Sequence, residues 1–138
     1  MPEPAGPSPR VPARTKARKA ALDVLFAADL RGLSPLDALE QAVESPVRDY
    51  TAALVRGVAE NLDDLDSRIA SRLPDGWTVP RMPRVDRCLA RMAVWEFVHG
   101  GVPAQVAIEQ AVGLASALST DESPGFLNGI LGALIAER

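Results

Sequence analysis

The chain has 138 residues, of which 47% are hydrophobic and 4% aromatic, enough aliphatic material for the core of one compact domain. Its formal net charge is −3, and its only cysteine, Cys88, excludes an intramolecular disulfide and is typical of a reducing cytoplasm. The apolar runs are too short to span a membrane, and the proline-rich N-terminus lacks the apolar segment of a signal peptide. The composition therefore predicts a cytoplasmic protein without a membrane segment.

Residues 1–12 contain five prolines and are predicted to be a disordered tail, followed by one helical domain over residues 13–138. Apolar residues recur at helical spacing in seven segments, and no convincing strand is found. Three Ser-Pro pairs are typical helix starts, because Ser caps a helix and Pro fits its first turn. They lie at residues 34–35, 45–46 and 123–124. The sequence thus predicts an all-α fold of seven helices, the first over residues 13–30.

The charge is distributed unevenly along the chain. Residues 1–19 contain five basic residues and one acidic residue, a charge of +4, so the remainder carries −7. The only two lysines, Lys16 and Lys19, lie in this basic arm. A basic arm on an acidic body indicates a nucleic-acid contact made through the arm. The alternative is a tail that only keeps the protein in solution.

The segment Arg84–Val98 predicts a helix with an apolar face and a cationic face. Its three arginines gather on one side, which suggests a solvated basic surface. Glu96 falls within the apolar face, where a carboxylate requires hydrogen-bond donors. We therefore expect Glu96 to be buried in a structural role, bonded to a neighbouring helix, with Asn128 as the candidate donor.

The sequence contains no pattern typical of an enzyme or a metal site. His99 is the only histidine, and it lies beside a Gly-Gly pair, where helix capping is the expected role. We find no nucleophile elbow, no phosphate-binding glycine loop and no His-Cys-carboxylate cluster with metal-ligand spacing. These absences predict a non-enzymatic protein without a metal or cofactor.

Four segments of the chain resemble the bacterial transcription antitermination factors of the NusB family. They are RTKARKAALDVLF (14–26), LVRGVAENLDDLD (54–66), the run 77–96 that contains VDRCLARMAVWE, and VPAQVAIEQAVGLA with SPGFLNGIL (102–131). Their order and spacing cover nearly the whole chain after residue 12. The resemblance implies two three-helix bundles packed crosswise. It also implies binding of boxA-type single-stranded ribosomal leader RNA together with ribosomal protein NusE, so that RNA polymerase reads through termination signals.

The resemblance further implies which residues make these contacts. The arm of the family corresponds to four basic residues of this chain, and Phe126 resembles the aromatic residue that contacts a base. We expect Phe126 at the surface, because the buried face of its helix is already defined by Leu127, Ile130, Leu131 and Leu134. The candidate RNA contacts are Arg14, Lys16, Arg18, Lys19, Arg87, Arg91, Glu122, Ser123 and Phe126. Phe26 and Asp86 are the candidate contacts with the protein partner. The resemblance leaves open whether the free protein is a homodimer.

Two other interpretations remain at this stage. A similar helical domain is attached to ribosomal RNA cytosine methyltransferases, an interpretation that requires a long catalytic region beyond residue 138. A helical adaptor that binds only protein is the second, and it would have no affinity for boxA-like RNA.

Overall fold

The computed structural model describes residues 12–42 and 49–136, and all regular secondary structure in this part of the chain is helical. The α-helices are α1 (Ala13–Arg31), α2 (Pro35–Gln41), α3 (Asp49–Glu60), α4 (Leu62–Ala70), α5 (Arg84–Val98), α6 (Ala104–Leu118) and α7 (Ser123–Ala136). A 3₁₀ turn, Val79–Arg81, lies between α4 and α5. Seven helices and no strand in the described ranges confirm the predicted all-α fold. The predicted tail, apart from Pro12, and the predicted helix start at residues 45–46 lie outside the described residues.

The helix ends follow local signals in the sequence. The Ser34 hydroxyl accepts a hydrogen bond from the Asp37 N–H at 3.1 Å, and Pro35 occupies the first turn of α2, as predicted. Helix α1 ends at Gly32, whose φ of 69° is in the left-handed region that glycine tolerates best. Helix α5 has the predicted bounds. Helix α7 also begins at the expected place, but the Ser123 hydroxyl donates to Asp86 on α5 and caps no N–H of its own helix.

The helices form two groups that meet along α5. Helices α1, α2 and α3 pack together, and α5, α6 and α7 pack together with α4 alongside α5 and α7. Helix α5 also contacts α1 and α3, so it belongs to the core of both groups. This arrangement confirms the two predicted three-helix bundles. The largest fully buried apolar side chains are Leu54, Leu65, Ile69, Leu89, Leu127 and Leu131. Among the described helices, none has the length and apolarity needed to cross a membrane.

Gly57 allows α3 to pack directly on the indole of Trp95 on α5. A Cβ atom added at Gly57 would lie 2.1 Å from the Cε2 atom of Trp95, far inside contact distance. The glycines of α7, Gly125, Gly129 and Gly132, have no such neighbour within 4 Å among the described residues. No described neighbour therefore requires glycine at these three positions.

We expect Gly57→Ala to lower the free energy of unfolding by about 1–3 kcal/mol, the usual effect of overpacking a core. This loss outweighs the gain of about 1 kcal/mol that alanine has over glycine inside a helix. Gly129→Ala is the matched control, because it adds the same methyl group to a helix where the space is open. It should raise stability slightly in the same urea-unfolding measurement. If both variants changed the free energy of unfolding in the same direction, the packing of Trp95 on Gly57 would be contradicted.

Candidate nucleic-acid interface

Two cations of the basic arm point outward from the first turn of α1. Arg14 is exposed, and its guanidinium lies over the ring of Tyr50 on α3, with Cζ 3.8 Å from the ring centroid. Lys16 is also exposed and makes no ion pair with any described residue. Stacking on an aromatic face orients a guanidinium while leaving its N–H groups at the edge available for hydrogen bonds. Arg14 and Lys16 are therefore exposed cations that no described carboxylate neutralises.

The other two cations of the arm are already paired. Arg18 is only 5% exposed, and its Nε donates to Glu96 Oε2 at 2.8 Å. Lys19 forms a surface ion pair with Asp23 one turn along α1, with Nζ 2.9 Å from Oδ2. The assignment of Arg18 to the RNA-binding surface is corrected here, because its guanidinium is enclosed in the core and does not reach a ligand at the surface.

Glu96 is the acceptor of a buried polar cluster formed by Arg18, Tyr50 and Glu96. It is 1% exposed and accepts hydrogen bonds from Arg18 and from the Tyr50 hydroxyl. Burial, together with the hydrogen bond to Glu96 and its negative charge, raises the pKa of Tyr50 to about 12, so the hydroxyl remains protonated and donates. The expected burial of Glu96 is confirmed. The expected partner is wrong, because Asn128 is exposed on α7 and the donors come from α1 and α3.

Further contacts hold the start of α1 in place. The Thr51 hydroxyl on α3 donates to the backbone carbonyl of Ala17 at 2.9 Å, and both residues are buried. The Thr15 hydroxyl donates to Gln110 Oε1 on α6, also at 2.9 Å. The first turns of α1 are thus bonded to both helix groups. Their cations are presented from a rigid backbone, which lowers the entropy lost when a ligand binds.

The arginines of α5 do not form the solvated basic surface expected from the sequence. Arg87 is 8% exposed and bonds to the Asp29 carboxylate and to the carbonyl of Pro80 at 3.0 Å. Arg91 donates twice to Asp66, at 2.7 and 2.9 Å. Acidic residues on α1 and α4 therefore neutralise both guanidinium groups. The assignment of Arg87 and Arg91 as phosphate contacts is therefore corrected. Both side chains instead join α5 to neighbouring parts of the fold.

Asp29 is the acceptor shared by two of these arginines, Arg84 and Arg87. Burial alone would raise the pKa of this carboxyl group. The hydrogen bonds from Arg87 and Arg84, together with their positive charges, outweigh burial and lower the pKa of Asp29 below its ordinary value of 3.8. The ionised form is therefore the one that stabilises the fold.

This lowered pKa predicts how Asp29→Asn changes stability with pH. Ionised Asp29 contributes its full stabilisation above the unfolded pKa of 3.8, and the contribution is lost as the pH falls through the lower folded value. The variant should be less stable than wild type near neutral pH, and the difference should narrow below about pH 4. Denaturant unfolding over this range measures the effect, with the exposed turn residue Asp75 replaced by Asn as the control. If the difference in stability between Asp29→Asn and wild type did not change with pH, the lowered pKa of Asp29 would be contradicted.

The candidate contacts Asp86 and Ser123 are both enclosed, at 1% exposure each. Asp86 Oδ1 accepts from the Ser119 hydroxyl at 2.6 Å, and Oδ2 accepts from the Ser123 hydroxyl at 2.8 Å. Neither side chain is free to contact a partner or an RNA, so both assignments are corrected. Their bonds hold the loop between α6 and α7 against the first turn of α5, and this positions Glu122 and Phe126.

The remaining candidates lie at or near the surface. Glu122 is exposed, while Phe26 and Phe126 are partly buried. The ring of Phe126 contacts the core on one side and Trp77 on the other, with ring centroids 5.9 Å apart. The expectation was a surface position for Phe126. Its side chain is instead partly buried, neither fully at the surface nor enclosed in the core.

Two aromatic residues near the candidate contacts escaped sequence reasoning. The sequence predicts no role for Tyr50, and it includes Trp77 only as the first residue of the run 77–96 that resembles the NusB family. The available signal for Trp77 was an aromatic residue in a polar, proline-containing segment with Arg81 four residues later. No comparable signal identifies Tyr50, because its contacts with Arg14 and Glu96 join residues far apart in the chain.

Cys88 adds no reactive group to this surface. Its side chain is buried, and burial, together with the nearby negative charge of Asp29, raises the pKa of the thiol to about 11. The thiolate is the reactive form, so this cysteine is unreactive near neutral pH. In residues 12–42 and 49–136, no three His, Cys, Asp or Glu side chains are grouped so as to hold a metal ion.

The fold and the site define an all-α protein of two helix groups with a cationic helix end held against both. Residues 15–136 match the sequence profile described as the NusB family. The chain belongs to the NusB family, which confirms the resemblance found in the sequence.

Individual relatives agree with this assignment. The transcription antitermination protein NusB of Nocardioides sp. is 49% identical over 130 residues, which cover 91% of this chain and 96% of that protein. The structure of T. maritima NusB is similar with a TM-score of 0.82 and 28% identity, covering 94% of each chain. A chain in a crystal structure of antitermination factors NusB and NusE in complex with dsRNA has a TM-score of 0.80. The two chains are 24% identical, and the match covers 91% of this chain and 97% of that one. Because the identity is low, this similarity supports the fold alone.

Proposed function

We propose that this protein is a transcription antitermination factor that binds boxA-type single-stranded RNA of ribosomal leader transcripts together with NusE. Family membership and the close NusB relative support the antitermination role, which is not enzymatic. In this proposal the heterodimer acts in the cytoplasm as part of the RNA polymerase antitermination complex.

The observation that carries the proposal is the rigid presentation of Arg14 and Lys16. Both cations are exposed on the first turn of α1, and the contacts of Thr15, Ala17 and Arg18 hold this part of the helix against α6, α3 and α5. Cations that neutralise phosphates release counterions from RNA, which is the main source of affinity for nucleic acid. A helical surface of this kind suits an unpaired strand, because it has no element that would enter a groove.

Residues at the start of α7 are suited to recognise bases in the same proposal. The partly exposed ring of Phe126 can stack on an unpaired base, an interaction worth about 1–3 kcal/mol per base. The exposed carboxylate of Glu122 can accept a hydrogen bond from an exocyclic amino group of a base. Phe26, partly buried on α1, is retained as the candidate contact with NusE, and its role is a proposal only.

Binding of a short boxA-like single strand, measured with and without purified NusE between 50 and 200 mM salt, tests the proposal. We expect affinity that falls as salt rises and that increases when NusE is added. A strand of the same length and base composition in scrambled order controls for sequence preference, and the boxA duplex controls for strandedness. A protein that binds NusE but no RNA at any of these salt concentrations would instead be a protein-only adaptor.

A further inference from the structure

An exposed indole lies on the connector between α4 and α5, at a distance from the basic arm. Trp77 is 45% exposed, and its ring lies 5.9 Å from the ring of Phe126 at an interplanar angle of 45°. Tryptophan offers a large rigid surface, and it is enriched where proteins meet their ligands. The pair forms a continuous aromatic surface that spans the connector and α7.

The connector that carries Trp77 is firmly held. The side chains of Val79 and Met82 are 6% and 3% exposed, so they anchor the connector in the core. The buried guanidinium of Arg87 on α5 donates hydrogen bonds to the carbonyls of Pro80 at 3.0 Å and of Met82 at 3.3 Å. Because these bonds already order the backbone, less entropy is lost when a ligand binds Trp77.

A cation accompanies the aromatic pair. The guanidinium of Arg81 lies 5.9 Å from the centre of the Trp77 ring, is exposed, and uses Nη1 to bond the carbonyl of Gly76 at 2.9 Å. Its other N–H groups remain available, and a guanidinium held beside a ring is suited to a phosphate next to a stacked base.

The surroundings of Trp77 favour a nucleic acid over a protein as the ligand. Its exposed neighbours on the connector are small, polar or proline residues, Pro74, Asp75, Gly76, Thr78 and Pro80, while Val79 and Met82 are turned inward. A protein interface normally places aromatic anchors within a wider apolar core. Within residues 71–83 the large hydrophobic side chain that is exposed is that of Trp77, and an unpaired base can cover its ring by stacking.

We propose that Trp77, Arg81 and Phe126 form an aromatic shelf that stacks an unpaired base of single-stranded RNA, with Trp77 as its main surface and Arg81 on the adjoining phosphate. This inference rests on the proposed function and extends its base contact at Phe126 by Trp77 and Arg81. Asp86, which holds the loop next to Phe126, lies ten residues before Glu96, which holds the arm, so about 15 Å of α5 separates the two points. An RNA strand that reaches both must extend over several nucleotides.

The shelf and the arm differ in the physical origin of their affinity, and this difference provides the test. Trp77→Ala should weaken binding of a boxA-like single strand by roughly 5- to 150-fold, the loss of one base stack, without changing the slope of log affinity against log salt. Trp77→Phe is the matched control and should retain most of the affinity, because a phenyl ring still stacks. Arg81→Ala should reduce the slope by about 0.7, the value for one phosphate contact on a single strand.

A fluorescence measurement identifies the ligand directly. The chain has two tryptophans, so Trp95→Phe leaves Trp77 as the only indole. We expect the boxA-like strand to quench this emission with the same midpoint as RNA binding measured by anisotropy of labelled RNA. Since Trp95 packs on Gly57, the reverse variant, Trp77→Phe, serves as a second probe whose emission should not respond to RNA.

Wild-type affinity in Trp77→Ala would overturn the shelf and leave the proposed function intact. Quenching of Trp77 by NusE alone, with none by RNA, would also overturn it and assign this surface to the protein partner. If the wild-type protein binds no boxA-like RNA at all, the proposed function fails, and the shelf fails with it.

Discussion

Replacing both Arg14 and Lys16 with alanine is expected to weaken RNA binding strongly and to reduce its salt dependence. Each phosphate contact on a single strand contributes about 0.7 to the slope of log affinity against log salt, so the double variant should lose about 1.4 from it. The helical content should not change, because both side chains are exposed. A salt titration of boxA-like RNA with the wild-type and variant proteins measures the effect.

Arg31→Ala is the matched control for the arm. It removes one exposed cation from the same helix, about 22 Å from Lys16 along the axis, and should leave the slope unchanged. Arg18 must be left intact in this experiment, because its removal would disturb the core and confuse lost stability with lost contact. An unchanged slope in the double variant would exclude the arm from the RNA-binding surface.

Replacing Glu96 with alanine is expected to lower the free energy of unfolding by about 3–5 kcal/mol, the usual effect of removing one partner of a buried ion pair. The guanidinium of Arg18 would remain buried without its counter-charge, and the Tyr50 hydroxyl would lose its acceptor. Glu96→Gln should lose less stability, because the amide oxygen can still accept a hydrogen bond. Urea unfolding of the three proteins measures these differences.

Two further variants test whether the loss of stability comes from the buried ion pair between Arg18 and Glu96. The double variant Arg18→Met with Glu96→Leu should recover much of the stability lost in Glu96→Ala, because an apolar pair of similar volume leaves no buried charge. Glu109→Ala, at an exposed site on α6, should change stability by less than about 0.5 kcal/mol. A Glu96→Ala protein as stable as wild type would show that the buried cluster does not stabilise the fold.

Much of the helical framework could be predicted from the sequence because its signals are local. The bounds of α5 follow from the spacing of its apolar residues after Pro83, and the start of α2 follows from Ser34 and Pro35. A capping hydroxyl bonds an N–H group only three residues away, so no knowledge of distant elements is needed. The burial of Glu96 was predictable for a similar reason, since its angle on the helix places it among apolar residues.

The accessibility of the charged residues could not be predicted in the same way. Arg18 and Lys16 are two residues apart in one basic run, yet one is buried and the other is exposed. The difference depends on Glu96, which is 78 residues from Arg18 in the chain. Arg91 is likewise neutralised by Asp66, 25 residues earlier in the chain.

The sequence by itself determined the all-α class, the membership of a family and the presence of a basic helix end, because helical periodicity, caps and motifs are properties of neighbouring residues. Only the tertiary structure decided which cations are available to a ligand and which aromatic residue stands beside Phe126. Ion pairs such as that between Arg87 and Asp29, and the ring contact with Trp77, join elements that are distant in the chain. Burial and charge neutralisation arise from that packing, and the functional surface is what the packing leaves exposed.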